Sequence, residues 1–302
     1  MEQYLGIDVG GTNVKMGIVD ATDGRISNFY SHDTASWRSS GHFIERLGDA
    51  IALQLVEYPE VKRVGIGVPG LTTRDRTTLI EITAIPEIDG IAIVPDLKAR
   101  FPEHDFYLEN DANAAALGEY YFGEDKLPED YIFVTLGTGI GGAAIIDKKV
   151  FKGGGGNAME PGHVPSKNGK VLERNIGKKE LLDLAITMRA NYTGQTQLPS
   201  DGTISTTGLV AAASKGDELA KQVFHEMGYL LGEGLVSMVR ILDITTILIG
   251  GGISASFEYI LPAINERFEY WLTPYYLKTI IIKRATLAND AGLLGAASLC
   301  FD

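Results

Sequence analysis

The chain has 302 residues, 45% of them hydrophobic, which is enough for two domains that each bury a core. Its formal net charge of −12 argues against nucleic acid as the main partner, because phosphate backbones require basic patches. The single cysteine, Cys300, excludes an internal disulfide and a zinc site built on cysteines.

The N-terminus and the apolar runs indicate where the protein works. The opening segment, MEQYLGIDVGG, has the pattern of neither a signal peptide nor a transit peptide. No apolar run reaches the roughly 18–20 residues that are needed to span a bilayer. We therefore expect a reduced, soluble, cytoplasmic protein with no membrane partner.

Strand and helix patterns alternate in the first half of the chain. The apolar run YLGIDVGG stops at Gly10 and Gly11, and NVKMGIVD is its predicted hairpin partner. The elements predicted after it are a more exposed strand (RISNFYSHDT), a helix over 43–57, a buried strand (RVGIGVPG, 63–70), a helix (DLKARF), a strand (DFYLEND) and a helix (ANAAALGEYYFG).

The second half begins with the same pattern. Residues 131–151, YIFVTLGTGIGGAAIIDKKVF, predict a strand, a glycine turn and a strand, as residues 4–20 do. The elements predicted after them are helices at 178–190, about 207–214, 216 to about 242 and 257–272, the strands TTILIGGGIS and TIIIKRAT, and a final helix, AGLLGAASL. The repeat predicts two related α/β domains with a cleft between them. We place them at residues 1–115, onto which the last helix at about 289–302 packs back, and at residues 116–288.

The glycine turns in DVGGTNVK (8–15) and LGTGIGG (136–142) could bind phosphates. Glycine allows positive φ, so that several backbone N–H groups can point at one anion. Asp8 would hold a magnesium ion through water, and Lys15 would lie near the same phosphates. The alternative is that both turns are only tight hairpins, since neither is a Walker loop or a dinucleotide fingerprint. The three glycines of IGGG (249–252) could approach an adenine or ribose, or form a simple turn into a helix.

Two polar segments supply candidate side chains. LENDANAAALGE (108–119) puts Asp111 where a strand meets a helix, and phosphoryl transfer to a hydroxyl needs such a base. The alternative is that Asn110 or Asp111 only caps the helix. EPGHVPSKNGKVLE (160–173) brings Glu160, His163 and Glu173 close together, as in a site for a metal or for a ligand rich in hydroxyl groups.

Six motifs, in this order and spacing, resemble those of the ROK sugar kinases (repressors, open reading frames, kinases). They are DVGGTNVK, GVPG, LENDANAAALGE, LGTGIGG, EPGH and LIGGG, and the resemblance extends to the closing NDAGLLGAA. It implies an actin-like ATPase fold, with two ribonuclease-H-like domains around a nucleotide and sugar cleft. It also implies an enzyme, a glucokinase-like sugar kinase that uses ATP and magnesium to phosphorylate a hydroxyl of a hexose or N-acetylhexosamine.

The resemblance implies roles for single residues as well. Asp111 matches the catalytic base of the family. The predicted substrate-binding residues are Gly70, Asn110, Glu160, His163 and Glu173. With Lys15 and the glycines of LIGGG included, the predicted nucleotide-binding residues are Gly10, Gly11, Thr12, Lys15, Gly137, Thr138, Gly139, Gly251 and Gly252.

The chain departs from the family pattern at two places. The family usually follows its ExGH segment with a CxCGxxGC zinc motif, whereas this chain has VPSKNGKVLE, which is shorter and lacks cysteine. We therefore expect a sugar site without structural zinc, in which backbone turns and packing hold the loop at 164–172. Ala84 stands where family kinases usually have a sugar-binding asparagine, so the sugar itself is left open.

Two other functions stay open, as does the oligomeric state. A ROK repressor would carry an N-terminal helix-turn-helix, whereas this sequence starts at the first phosphate strand and is acidic. A catalytically weak sugar-sensing or regulatory protein would fit Ala84, but Asp111 and both glycine turns argue against it. The resemblance also suggests a homodimer.

Overall fold

A computed structural model describes residues 2–301, and these residues form two compact units. The first unit contains the chain up to Leu127, Ala143–Ala158 and the residues from Thr286 onward. The second unit contains Pro128–Gly142 and Met159–Ala285. None of the helices within residues 2–301 is both long enough and apolar enough to cross a membrane.

The strands and helices follow the predicted order, with additions. The strands are β1 (Gln3–Val9), β2 (Asn13–Asp20), β3 (Ile26–Asp33), β4 (Arg63–Val68), β5 (Leu71–Thr72), β6 (Leu79–Glu81), β7 (Asp105–Asn110), β8 (Tyr131–Leu136), β9 (Ile140–Ile146), β10 (Lys149–Val150), β11 (Thr246–Gly250) and β12 (Ile281–Arg284). The helices are α1 (Thr34–Ser39), α2 (Phe43–Glu57), α3 (Ile93–Arg100), α4 (Asp111–Phe122), α5 (Glu173–Ile176), α6 (Lys178–Asn191), α7 (Thr206–Ser214), α8 (Glu218–Leu242), α9 (Phe257–Trp271), α10 (Pro274–Leu277) and α11 (Ala291–Ser298). The sequence did not predict the β5–β6 hairpin, α1, α5 or α10, because each of these elements is short.

The two five-stranded sheets share one plan. Their strand orders are β3-β2-β1-β4-β7 and β10-β9-β8-β11-β12. In the first sheet, β1 pairs antiparallel with β2 and parallel with β4, and β4 pairs parallel with β7. In the second, β11 pairs parallel with both β8 and β12. The repeat of strand, glycine turn and strand in the sequence is thus a repeat of sheet topology.

The first sheet has large apolar side chains on one face and glycines on the other. Successive side chains of a strand point to opposite faces. The branched residues of β1 and β4 join one cluster with apolar residues of α2 and α3, so a conventional core covers that face. The opposite face carries Gly6 in β1 and Gly65 in β4, and α11 packs there.

Glycine allows α11 to approach the sheet and α4 at backbone distance. A Cβ on Gly65 would overlap the carbonyl oxygen of Ala296 in α11, and a Cβ on Gly295 would overlap that of Ala114 in α4. No rotamer change can relieve either overlap, because the obstructing atoms belong to the backbone. These positions therefore require glycine for its lack of a side chain.

In the second unit, the long helix α8 is the centre of the helical packing. The 25-residue helix α8 packs against α9 and also contacts α6 and α7. The buried side of α8 includes Phe224, Met227 and Leu231, which recur at helical spacing. Asp217 caps the N-terminus of α8 by accepting a hydrogen bond from the backbone of Ala220 at 3.0 Å.

Gly295→Ala should destabilise the protein although it places a better helix former inside a helix. The gain in helix propensity is about 1 kcal/mol, whereas the forced backbone shift should cost about 3 kcal/mol or more. Urea unfolding of the variant measures the difference. Gly155→Ala is the matched control, because a Cβ there would meet no atom within 4 Å. A stability of Gly295→Ala equal to that of the control would contradict this account of the packing.

Candidate active site

The carboxyl ends of three parallel strands meet at one edge of the first sheet. The register pairs Asp8 of β1 with Gly67 of β4, and Gly67 with Glu109 of β7. Neighbouring strands are about 4.8 Å apart, so Asp8 lies roughly 10 Å from the last residues of β7 along this edge. Asn110 and Asp111 follow directly. The fold therefore brings the predicted base and the predicted magnesium ligand to the same edge.

The first glycine turn is a tight connection, and Thr34 donates two hydrogen bonds to its carbonyl oxygens. The Gly10 N–H donates to Asn13 O at 2.9 Å. Thr34, which is fully buried, donates its hydroxyl to Gly10 O at 2.7 Å and its N–H to Thr12 O at 2.9 Å. Gly11 and Thr12 are exposed, so this part of the turn is accessible to a ligand.

Asp8 lies against the start of the last helix. An ideal Cβ on Gly292, in the first turn of α11, would lie 2.7 Å from the carboxylate of Asp8. The ammonium of Lys15 is 4.0 Å from the same carboxylate and donates to Asn289 O at 2.8 Å. Burial raises the pKa of Asp8, and the charge of Lys15 opposes that rise. A cation bound here would favour the carboxylate form of Asp8 in the same way.

Asn110 caps α4, and Asp111 is the first residue of that helix. The side-chain oxygen of Asn110 accepts from the N–H groups of Ala112, at 2.9 Å, and Asn113, at 3.2 Å. Its amide nitrogen donates to Gly70 O at 3.2 Å, and Gly70 has the left-handed φ of 85°. The capping role that the sequence suggested is therefore filled by Asn110. Asp111 lies at the helix N-terminus, where the helix dipole stabilises a negative charge.

The second unit joins Glu173 to the second glycine turn. The N–H of Ile140, directly after that turn, donates to Oε2 of Glu173 at 2.9 Å. A Cβ on Gly139 would overlap the same carboxylate. The Gly137 N–H donates to Gly139 O at 2.9 Å, and Thr138 between them is exposed. A predicted phosphate turn and a predicted sugar ligand therefore contact each other.

Gly251 places the end of β11 beside the same turn. Its φ is 84°, and a Cβ there would lie 2.6 Å from the hydroxyl of Thr135 and 2.7 Å from the N–H of Leu136. Gly252 follows in open space. The glycines of this segment thus allow a backbone contact with β8.

Glu160 and His163 lie on the segment before the cysteine-free loop. Glu160 is half-buried and His163 is exposed. Burial raises the pKa of Glu160; nearby His163 opposes that rise, and the charge of Glu173 adds to it. Within residues 2–301, no group of three or more His, Cys, Asp or Glu side chains is arranged to hold a metal ion.

The loop at 164–172 is a small hairpin closed by an Asn-Gly turn. Asn168 and Gly169 both have positive φ, 61° and 67°, as a type I′ turn requires. Ser166 N–H donates to Lys170 O at 2.7 Å, and Leu172 N–H donates to Val164 O at 2.9 Å. The side chain of Lys167 also forms an ion pair with Glu226 of α8 at 2.6 Å.

The comparisons with known proteins agree over nearly the whole chain. The profile of the ROK family matches residues 4–302. The chain belongs to the ROK family. A glucokinase of Thermotoga maritima is 29% identical to it over 311 residues, which cover 98% of this chain and 96% of the relative.

Solved structures of the ROK family match as well. A protein of Cytophaga hutchinsonii, provisionally described as a sugar kinase, matches with a TM-score of 0.94 and 42% identity over 99% of this chain and 100% of that chain. A ROK family glucokinase of Streptomyces griseus, solved with glucose and AMPPNP, matches with a TM-score of 0.77 and 30% identity over 98% of each chain. The predicted actin-like ATPase fold is confirmed.

Sequence reasoning missed several residues that surround the predicted ROK site. They are Thr34, Arg76 and Lys152, which contact the predicted residues or their neighbours. All three lie outside the motifs, so no sequence pattern identified them. Ala84, at the position of the family's asparagine, lies beside the first glycine turn: an ideal Cβ on Gly11 would be 3.3 Å from its methyl group.

Lys167→Met should loosen the 164–172 hairpin without unfolding the protein. The Lys167–Glu226 pair is about half exposed, and such pairs contribute about 0.2–1 kcal/mol. Hydrogen exchange of the hairpin amides should therefore accelerate, by up to about fivefold. Lys179→Met, which removes an exposed ion pair with Asp183 on α6, is the matched control.

A chelator tests whether a bound metal contributes to the order of the same hairpin. If backbone bonds and the ion pair hold it, a chelator should change neither its exchange rate nor the melting temperature. One equivalent of tightly bound zinc, or faster exchange in the chelator, would contradict this.

Proposed function

We propose that this sugar kinase transfers the γ-phosphoryl group of ATP to a hydroxyl of glucose or of a related hexose or N-acetylhexosamine. The observation that carries the proposal is the edge of the first sheet. There Asp8 lies near the carboxyl end of β1, the first glycine turn follows β1, and Asp111 begins α4 directly after β7; β4 lies between these two parallel strands. Ligands of α/β proteins typically bind at such an edge.

Asp111 is the proposed general base. The sugar hydroxyl oxygen forms a bond to the γ-phosphorus, the bond from that phosphorus to the ADP oxygen breaks, and the hydroxyl proton passes to the Asp111 carboxylate. Asp111 lies in the first turn of α4, where the helix dipole favours a negative charge.

The proposed hydroxyl ligands are the side chains of Asn110, Glu160, His163 and Glu173. Asn110 uses one amide proton for Gly70 O, and its second amide proton can donate to a sugar oxygen. Glu160 and His163 would bind further hydroxyls. Glu173 accepts one backbone N–H and retains capacity to accept from a hydroxyl, since a carboxylate has about four lone-pair positions.

The proposed nucleotide ligands are the backbone groups of both glycine turns, the glycines at 251 and 252, and Lys15. Mg²⁺ typically binds through one or two carboxylates together with waters and substrate phosphates, so Asp8 alone suits it as a protein ligand. When bound, the ion would neutralise phosphate charge. The donor set of the 160–173 segment does not suit a structural zinc, which usually has four thiolate or imidazole ligands.

Asp111→Asn should lower kcat about a hundredfold or more, with sugar affinity changed far less. The amide keeps the shape of the side chain and removes the proton acceptor. A coupled assay of ADP release over a panel of hexoses and N-acetylhexosamines measures both quantities. Asp96→Asn, an exposed first-turn carboxylate of α3, is the matched control.

Two results would count against the proposal. Turnover of Asp111→Asn near that of the unmodified protein would remove Asp111 as the base. Sugar binding by the unmodified protein without any ADP release over the panel would favour the sugar-sensing alternative instead.

The Michaelis constant for the sugar should rise as the pH falls, starting above the pKa of an ordinary glutamate, about 4.3. Burial raises the pKa of Glu160, so this carboxyl takes up its proton at a higher pH than usual and loses its charge-assisted hydrogen bond to a hydroxyl. We expect a rise of roughly fivefold.

Glu160→Gln assigns this pH dependence. The variant should have the weaker affinity already at pH 8 and a flatter profile, while Glu60→Gln at an exposed position should keep the full profile. An unchanged profile in Glu160→Gln would exclude Glu160 as the titrating ligand.

A further inference from the structure

A buried ion pair lies directly behind the predicted base. Arg76 and Glu109 are 7% and 2% exposed, and Nη2 of Arg76 lies 2.8 Å from Oε1 of Glu109. Glu109 is the residue before the Asn110–Asp111 pair. Its second oxygen lies 3.4 Å from the ammonium of the half-exposed Lys152.

Glu109 holds both ends of the first turn of α4. Its Oε1 accepts the backbone N–H of Asn110 at 3.0 Å and the side-chain amide of Asn113, also at 3.0 Å. Asn113 is itself buried. Asp111 lies between these two contacts in the chain, so the position of the Glu109 carboxylate determines the position of the Asp111 backbone.

Arg76 in turn fixes Glu109 to two further segments. It lies between β5 and β6 with a left-handed φ of 58°, a conformation that is costly for a residue with a side chain. Its Nη1 donates to the hydroxyl of Thr72 at 2.8 Å, and its Nη2 also donates to Gly156 O at 2.6 Å. Asn157 reinforces this junction by exchanging two hydrogen bonds with the backbone of Thr72.

We propose that Arg76 is a positioning residue for the phosphoryl transfer: it orients Glu109, and through Glu109 the first turn of α4 on which Asp111 lies. The inference rests on the proposed function, since it assigns Arg76 a role only through the base. The need for orientation explains why charges are buried here. A buried ion pair rarely stabilises a fold more than apolar residues of similar volume would. Here the planar guanidinium holds three acceptors in one fixed arrangement: Oε1 of Glu109 and Gly156 O on Nη2, and the Thr72 hydroxyl on Nη1.

Loss of Arg76 should therefore affect turnover more than binding. Without the guanidinium, the Glu109 carboxylate can rotate toward Lys152 or water, and the two amides that it holds lose their common acceptor. A displacement of about 1 Å at a reacting group can cost about a hundredfold in rate. We expect Arg76→Met to lower kcat by at least about tenfold, and to change the Michaelis constants of sugar and ATP less than about threefold.

The test is a double-mutant cycle of Arg76→Met and Glu109→Gln, measured as kcat and both Michaelis constants well below the melting temperature. If Arg76 acts through Glu109, the double variant should be no slower than the slower single variant. Arg76→Lys should recover only part of the rate, because an ammonium cannot form the planar fork. Arg100→Met, which removes an exposed ion pair with Asp49, is the matched control and should keep the full rate.

Three results would overturn the inference. They are an unchanged kcat in Arg76→Met with only a lower urea midpoint, rate losses that multiply in the double variant, and full recovery by Arg76→Lys. Should Arg76→Met fail to fold, Arg76→Lys with Glu109→Gln carries the same cycle. Asp111→Asn, measured in the same series, separates the two proposals. If Asp111→Asn retains its kcat, the proposed base is wrong. If Asp111→Asn loses its kcat while Arg76→Met keeps it, only the role of Arg76 is wrong.

Discussion

The close approach of α11 to α4 and to the first sheet is the constraint on which the edge that carries Asp8 and Asp111 depends. Gly65 and Gly295 allow backbone to contact backbone, which fixes α11 more tightly than side-chain packing would. The first turn of α11 presents Gly292 to Asp8, and its later turns contact the helix that begins at Asp111. One short helix near the end of the chain therefore sets the positions of both acidic residues at the edge.

The same edge combines this apolar packing with buried charge. Packing fixes where α4 lies, but a helix can still rotate or slide slightly within an apolar interface. The hydrogen bonds of Glu109 to Asn110 and Asn113 act at the first turn itself, where direction matters most for a base. Burying Arg76 and Glu109 costs desolvation energy that the pair recovers only in part. Such an arrangement is expected where precision of a site matters more than net stability.

Much of this protein could be predicted from its sequence, and the reasons for the remainder are physical. Alternation and helical spacing identified the long elements such as α2 and α8, because those patterns depend only on neighbours in the chain. Asp111 could be found because it lies in a motif at a strand end. Arg76 could not, since its role depends on a carboxylate far away in the sequence. Glycine inside a helix is a poor helix former, and only the position of Ala114 shows why Gly295 is needed.

The cysteine-free hairpin is joined to the second unit by several kinds of contact. A structural zinc site contributes roughly 10–16 kcal/mol of binding energy in small domains, whereas the exposed Lys167–Glu226 pair contributes at most about 1 kcal/mol. The hairpin also has buried contacts elsewhere in the second unit. Leu172 at the end of the hairpin is 1% exposed, and an ideal Cβ on Gly234 of α8 would lie 3.1 Å from its side chain. The residue after it, Glu173, accepts the Ile140 N–H. The hairpin is therefore anchored by the segment that would carry the sugar ligand, through the core of α8 and the second glycine turn.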